Sequence, residues 1–201
     1  MQLFFSKIAS SVVQIILFAA IPFIWWLVTA RKEQSFAEWI GLKKPAGGKK
    51  TVLFSVIVSA AFLVLGGATL YMVRDTETAA SEFAGLGAAA IPAILVYAVL
   101  NTSFPEELLF RGFLLKRMSG KLGFAAANTI QAVLFGLLHG TMFISMTGVV
   151  KAVIITVFTA AIAWFIGYIN EKKANGSIIP GWIIHAIANI FSAMCAAFSI
   201  F

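Results

Sequence analysis

The chain has 201 residues, of which 61% are hydrophobic and 11% are charged, and its mean hydropathy is +0.96. This composition excludes an ordinary soluble domain and predicts an all-α, polytopic membrane protein. The 15 Lys and Arg residues outnumber the 8 Asp and Glu residues, but they are spread over several loops and form no single basic patch, so nucleic-acid binding is not expected.

Six apolar runs are each near or above the roughly 20 residues that a helix needs to span a membrane. They cover residues 8–30, 51–73, 83–105, 122–150, 152–170 and 174–201. The first run is longer than the apolar part of a secretory signal and no clear cleavage site follows it, so we predict a spanning helix there. No internal repeat or separate soluble domain is visible. Residues 1–201 are therefore predicted to form a single membrane domain, with a motif-bearing core over about 83–201.

The longest polar stretch, residues 31–50, follows the first run. Four apolar residues recur in it at roughly helical spacing between charges: Phe36, Trp39, Ile40 and Leu42. This pattern predicts a short helix at the membrane interface near residues 35–42. A solvated loop anchored by Trp39 fits the pattern equally well.

Lys and Arg residues are unevenly distributed between alternate loops. Eleven follow the first, third and fifth runs: Arg31, Lys32, Lys43, Lys44, Lys49, Lys50, Lys116, Arg117, Lys121, Lys172 and Lys173. Only Lys7, Arg74 and Lys151 lie in the other loops and the N-terminal segment. The positive-inside rule then predicts that both termini lie outside and that the three basic loops lie in the cytoplasm.

The third run continues as a largely apolar segment over residues 83–115. This segment is too long for one straight helix that spans the membrane. Only three charged residues interrupt it: Glu106, Glu107 and Arg111. The stretch 101–105 predicts a break or sharp kink, in which Ser103 caps a new helix, Pro105 occupies its first turn and Glu106 completes a capping box. A carboxylate that only completes this cap is therefore one alternative for Glu106.

Ionisable groups inside membrane-length runs mark a functional site by default. At 1.5 Å per residue from the nearest basic loop, Glu106 lies about 15 Å deep, His185 about 18 Å and His139 about 20 to 27 Å. Helix tilt can absorb the difference, so the three side chains can meet near mid-depth. Taken singly, a buried histidine is more often structural than functional. Together with a carboxylate pair at the same depth, the two histidines predict a site.

The charged and polar residues near this depth suggest distinct roles. Glu106 and Glu107 diverge by about 100° on a helix, so both cannot point equally at one reacting atom. Arg111 lies four residues after Glu107, the spacing of a helical ion pair, which predicts structural support and leaves Glu106 as a general base. Asn189 shares a helical face with His185, and the pair could stabilise an oxyanion. A simple polar contact between helices is the alternative.

The chain lacks the residues that other known intramembrane chemistries require. Asp75 is the only aspartate and lies in a polar loop, which excludes a paired-aspartate protease. No His-Glu-x-x-His motif occurs, and the serines nearest to a histidine in sequence, Ser145 and Ser192, lie in no recognised motif. Cys195 is ten residues from His185, too far along one helix for direct pairing, so we predict that it packs in the core.

Three motifs in order resemble the signatures of the CAAX protease and bacteriocin-processing family, also called CPBP or Abi, which includes Rce1-like prenyl endopeptidases. They are EELLFRG at 106–112, FGLLH at 135–139 and HAIAN at 185–189. These resemble Glu-Glu-x-x-x-Arg, Phe-x-x-x-His and His-x-x-x-Asn, and the likeness covers roughly residues 90–195.

The resemblance implies a glutamate-dependent intramembrane endopeptidase. Glu106 and His139 would activate a water that attacks the scissile carbonyl, and His185 and Asn189 would stabilise the oxyanion. Glu107 and Arg111 would give structural support to the first motif. The substrate would be a membrane-associated protein or peptide reached through membrane lipid. The cavity would open toward the cytoplasm, and the short chain is more similar to bacterial members, which implies a bacterial plasma membrane.

Two alternatives stay open. Glu106, His139 and His185 could hold zinc with one position free for water. We favour a mechanism without a metal cofactor, because no carboxylate other than Glu107 is at hand to orient the histidines from a second shell. The other alternative is a non-enzymatic bacteriocin-immunity or scaffold protein, in which the buried polar residues would line a pathway or bind a partner.

Overall fold

The computed structural model describes residues 1–200, in which all regular structure is helical, so the all-α prediction is confirmed. In chain order the helices are α1 (Gln2–Thr29), α2 (Phe36–Ile40), α3 (Gly48–Met72), α4 (Gly87–Leu122), α5 (Phe124–Thr147), α6 (Val149–Lys173) and α7 (Ile179–Ala197). All except α2 are long and apolar enough to cross a membrane, and they correspond to the six predicted runs.

Helix α2 confirms the predicted short helix between the first two spans, and the alternative of a solvated loop is wrong. Ser35 Oγ accepts a hydrogen bond from the Glu38 backbone N–H at 3.3 Å and donates one to Glu38 Oε2 at 3.0 Å, which caps the first turn. Gly41 ends the helix in the left-handed conformation, with φ of 84°. Trp39 and Ile40 are buried in a cluster with apolar residues of α4. The apolar side of α2 therefore packs on protein.

Helix α4 continues through the position of the predicted break. Ser103 has helical torsion angles, φ −64° and ψ −44°, and its side chain caps nothing, so the predicted capping box with Glu106 is wrong. The interruption instead consists of two π-helical stretches, Tyr97–Ser103 and Leu108–Leu115, on either side of Pro105. Proline lacks a backbone N–H, and a π-helical adjustment lets neighbouring groups accommodate the loss without ending the helix. In the first stretch the Val99 carbonyl accepts from the Phe104 backbone N–H and also from the Trp182 indole of α7, at 2.8 Å.

The three basic loops lie together at one end of the bundle. Lys116 Nζ, near the end of α4, is 2.6 Å from Glu171 Oε1 of α6 and 2.7 Å from the Gly176 carbonyl before α7. The Ser177 hydroxyl donates to the carbonyl of Lys43 in the loop between α2 and α3. Segments far apart in sequence are thus joined at this end, which we call the basic end.

The loops with few basic residues meet at the opposite end. Lys7 of α1 pairs with Glu82 at 2.6 Å. Lys151, at the start of α6, donates to the carbonyl of Met72 at 2.8 Å. The alternation of basic and non-basic loops in the sequence therefore corresponds to two ends of the folded bundle.

Helices α5 and α6 form a close antiparallel pair because small residues face the contact. A Cβ on Gly136 or Gly140 would meet atoms of α6, including the Thr156 carbonyl oxygen and side chain, within van der Waals contact distance. Small residues four apart allow such close approach between membrane helices. The buried Gln131 amide also donates to the Ala163 carbonyl of α6 at 3.2 Å. This packing fixes the turn of α5 that carries His139.

Candidate active site

The side chains of the three motifs converge from α4, α5 and α7. Glu106 Oε2 of α4 lies 3.7 Å from His185 Nε2 of α7. The Phe135 ring of α5 contacts both imidazoles, with ring centroids 4.4 Å from His139 and 5.9 Å from His185. The structure therefore brings together the carboxylate and the two histidines that the sequence placed at similar depth.

Glu107 connects the first and third motifs. Its Oε1 is 2.9 Å from Arg111 Nη1, the ion pair predicted from their spacing, and both side chains are fully buried. The same oxygen is 3.0 Å from His185 Nδ1. A carboxylate here can only accept, so Nδ1 carries a hydrogen and His185 Nε2 faces Glu106. The bond to His185 was not predicted, because the two residues lie 78 positions apart and no spacing rule joins them.

Arg111 is held mainly by charge and by an aromatic face. Its guanidinium carbon lies 4.6 Å from the centre of the Phe135 ring, within the range of a cation–π contact. Although Nη1 is close to Glu107, none of the guanidinium N–H groups makes an aligned hydrogen bond within residues 1–200. Glu107 is therefore the only carboxylate in an ion pair with this buried cation in the described part of the chain.

His139 is oriented by its own helix. Its Nδ1 is 2.9 Å from the Phe135 carbonyl oxygen, one turn earlier in α5. A carbonyl oxygen only accepts, so Nδ1 carries the hydrogen and the neutral ring presents a lone pair at Nε2. His139 thus offers an acceptor, the form required of a base or a metal ligand.

Asn189 is held by two hydroxyl groups of α4 that sequence reasoning did not single out. Its Nδ2 donates to Thr102 Oγ1 at 2.9 Å and to Ser103 Oγ at 3.0 Å. Both hydrogens of the amide are therefore engaged by the protein. The oxyanion role predicted for Asn189 would require one of these bonds to be released. No local pattern points from α7 to these hydroxyls, since only the folded pairing of α4 with α7 brings them together.

A cavity of about 170 Å³ borders this cluster. His139, His185, Asn189 and Phe135 line it on one side, and residues of α3, including Leu63, line it on the other. At about 30 Å³ per water molecule, it has room for a few waters. A larger apolar groove of about 560 Å³ runs between α3 and α7 and also reaches Leu63. The cavity therefore adjoins a groove along the surface of the bundle.

The fit of the site to zinc is mixed. Both histidines have Nε2 unprotonated in their neutral forms, and the contact of Glu107 with His185 Nδ1 is of the kind that orients metal-bound histidines. Within residues 1–200, however, no three His, Cys, Asp or Glu side chains are grouped so that they could hold a metal ion. The donor atoms are therefore of a kind that zinc accepts, but they are not arranged as the ligands of one metal ion.

The fold and site together define a class: a helical membrane protein with a polar, ionisable cluster buried between its helices. A family model described as "Type II CAAX prenyl endopeptidase Rce1-like" matches residues 88–191, just over half of the chain, and the chain belongs to this family. None of the curated proteins or solved structures compared with the chain matches it. Family membership and six apolar helices identify an integral membrane protein and support an intramembrane protease of the CAAX type.

Proposed function

We propose that the protein is an intramembrane endopeptidase that hydrolyses a peptide bond of a membrane-associated protein or peptide with a water activated by Glu106 and His139. The observation that carries this proposal is the convergence of Glu106 and His185 at 3.7 Å beside a cavity that His139 also lines. A carboxylate next to imidazoles that line a cavity supplies the groups that general acid–base hydrolysis needs.

In the proposed reaction His139 Nε2 accepts a hydrogen bond from the water and orients it. Glu106 takes the water's proton as the oxygen attacks the scissile carbonyl, and then passes this proton to the leaving amine. No covalent intermediate forms. The same carboxylate thus acts first as general base and then as general acid.

His185 is the proposed oxyanion donor. Its Nδ1–H is engaged by Glu107, so it can donate from Nε2 only when the ring carries a second proton. With that proton, two carboxylates, one guanidinium and one imidazolium sum to zero charge, the favourable balance for a buried cluster. When Glu106 has accepted a proton from water, its attraction for the Nε2–H falls. This hydrogen is then free to bind the oxyanion.

The proposed substrate approaches from lipid to the groove between α3 and α7. Both the groove and the cavity are lined by Leu63, so an apolar segment in the groove would place a neighbouring peptide bond near the histidines. We place the basic end on the cytoplasmic side of a bacterial plasma membrane, because the positive-inside rule assigns basic loops there. Prenylated peptides, bacteriocin leaders and regulatory membrane proteins all meet these requirements.

The test is a comparison of the peptides released from membranes that contain the wild-type protein or the Glu106→Gln variant. We expect a set of peptides that only the wild-type protein releases. Mass spectrometry of these peptides would also identify the cleaved bond. Identical peptide sets from the two proteins, at equal protein levels, would contradict the proposal.

The zinc alternative is favoured by one observation, the two free Nε2 atoms with Glu107 behind His185. Zinc would polarise the carbonyl and activate water when bound. Metal analysis of purified active protein distinguishes the two mechanisms. For a reaction without a metal cofactor we expect activity to survive chelation. Stoichiometric zinc that is lost together with activity would support the metal-dependent reaction instead.

A further inference from the structure

The side-chain amide of Asn189 has one end occupied and one end free. Nδ2 donates both hydrogens, to Thr102 Oγ1 and Ser103 Oγ, whereas Oδ1 has no hydrogen-bond partner within residues 1–200 and is not among the buried unsatisfied atoms. Asn189 also lines the cavity beside the two histidines. The end of the amide that is available to a ligand is therefore its oxygen.

Thr102 fixes which end of the amide faces it. The Thr102 hydroxyl has a single hydrogen, which points to the Tyr97 carbonyl at 3.1 Å, with the Ala98 carbonyl at 3.4 Å. The side of Thr102 Oγ1 toward Asn189 is consequently a lone pair, which only a donor can approach favourably. The Tyr97 carbonyl is five residues back, within the first π-helical stretch of α4. The local geometry of α4 thus determines the orientation of an amide on α7.

We propose that Asn189 presents Oδ1 to the cavity as a hydrogen-bond acceptor, and that Thr102 and Ser103 are positioning residues that hold it in this orientation. The inference rests on the proposed function and deepens it. Its ligand is a hydrogen-bond donor in the cavity, a peptide N–H of the substrate, because both hydrogens of the nucleophilic water are already assigned to His139 and Glu106. An oxyanion donor would instead use the N–H groups of the amide.

The two roles predict opposite effects of removing the Thr102 hydroxyl. Thr102→Val keeps the shape of the side chain but removes one anchor of the amide, so the acceptor is held less firmly. If Asn189 instead donates to the oxyanion, the same change frees an N–H and activity stays constant or rises. A loss of activity therefore supports the acceptor role, and a gain contradicts it.

The experiment measures kcat and KM in proteoliposomes with a peptide that the wild-type protein cleaves and Glu106→Gln does not. For Thr102→Val we expect kcat/KM to fall about tenfold, the effect of about one lost hydrogen bond, and Thr102→Ser to restore it. Ser103→Ala should give a smaller fall in the same direction. A change mainly in KM would show that Asn189 binds the substrate N–H in the ground state, and one mainly in kcat would show that the contact is made in the transition state.

Thr147→Val is the matched control, because that hydroxyl donates only to backbone carbonyls at its own helix end. We expect its kcat/KM to stay within twofold of the wild-type value. Thermal unfolding in detergent identifies misfolded variants, and Ser103→Ala, which also removes an acceptor of the Asn189 amide, provides the same comparison if Thr102→Val does not fold. Unchanged or increased kcat/KM in folded Thr102→Val and Ser103→Ala would overturn the inference. Absence of Glu106-dependent cleavage by the wild-type protein would instead overturn the proposed function.

Discussion

Helices α1 and α7 are both apolar enough to span a membrane, but they are used differently. In the most apolar 18-residue window of α1, 6% of the residues are buried, compared with 39% in α7. One side-chain hydrogen bond joins α1 to α4, from Asn101 to Ser10 at 3.1 Å. The polar side chains of α7 bond to α4 through Trp182, His185 and Asn189. Two helices that both qualify as membrane spans therefore have different roles: α1 is peripheral, and α7 helps to form the site.

The largest expected effect is on catalysis at the α4–α7 contact. Glu106→Gln keeps the size of the side chain but removes the proposed base, so kcat/KM should fall by about 10³-fold or more. The measurement is cleavage of a peptide substrate in proteoliposomes. The matched control is Glu82→Gln, which changes a carboxylate at the opposite end of the bundle and should stay within twofold of wild type. Equal losses in both variants would show that the effect is not specific to the site.

Substitutions in the buried Glu107–Arg111 ion pair test whether the site also stabilises the fold. Arg111→Met leaves the buried Glu107 carboxylate without its cation and should lower the free energy of unfolding by about 3 to 5 kcal/mol. Reversible unfolding in mixed detergent provides the measurement. The double variant Glu107→Gln/Arg111→Met removes both charges and should recover most of this stability.

The same double variant should nevertheless stay inactive, because His185 no longer has a carboxylate at Nδ1. Stability and activity would then be separated at one pair of residues. If the double variant were as unstable as Arg111→Met, the ion pair would not be the source of the loss.

Disturbing the close packing of α5 on α6 should have an effect of intermediate size on stability and activity. Gly136→Ala places a methyl group against the Thr156 carbonyl and the Ala160 side chain, and should destabilise the protein by about 1 to 3 kcal/mol. Activity should fall as well, because Gly136 lies one turn from His139. Gly120→Ala is the control, since a Cβ there meets no atom within 4 Å. Thermal unfolding midpoints of the two variants should therefore differ clearly.

The smallest effect is expected on α1. Ser10→Ala removes the acceptor of the Asn101 hydrogen bond, and such bonds between membrane helices contribute about 0.6 kcal/mol on average. We expect a loss of stability of this size, with kcat/KM within twofold of wild type. Thr29→Val, whose hydroxyl bonds only to the Trp25 carbonyl of its own helix, is the control. A large loss of activity in Ser10→Ala would show that α1 is more closely coupled to the site than its burial indicates.

The sequence predicted features that depend on composition and on spacing within one helix. Six spans follow from the length of apolar runs, and the Glu107–Arg111 pair follows from four-residue spacing. The approach of Glu106 to His185 was predicted from their similar depths along separate helices. These features need no knowledge of how helices are rotated against each other.

Features that depend on helix rotation were not predicted. The capping box at Ser103 was wrong because α4 remains helical through Pro105 and changes only its hydrogen-bond spacing. That change affects which side chains face α7, and with it the contacts of Thr102, Ser103 and Glu107. Local propensity does not record such a shift in register, since the torsion angles differ little from those of a regular α-helix.

The π-helical stretch before Pro105 also restricts changes in the length of the chain. Deleting one residue from Tyr97–Ser103 would allow regular α-helical spacing, and the span would still be long enough to cross the bilayer. It would also change the local direction of the Thr102 and Ser103 hydroxyl groups, which Asn189 contacts. Tolerance to deletions in this segment is therefore limited by where these hydroxyl groups point, and not by the thickness of the membrane.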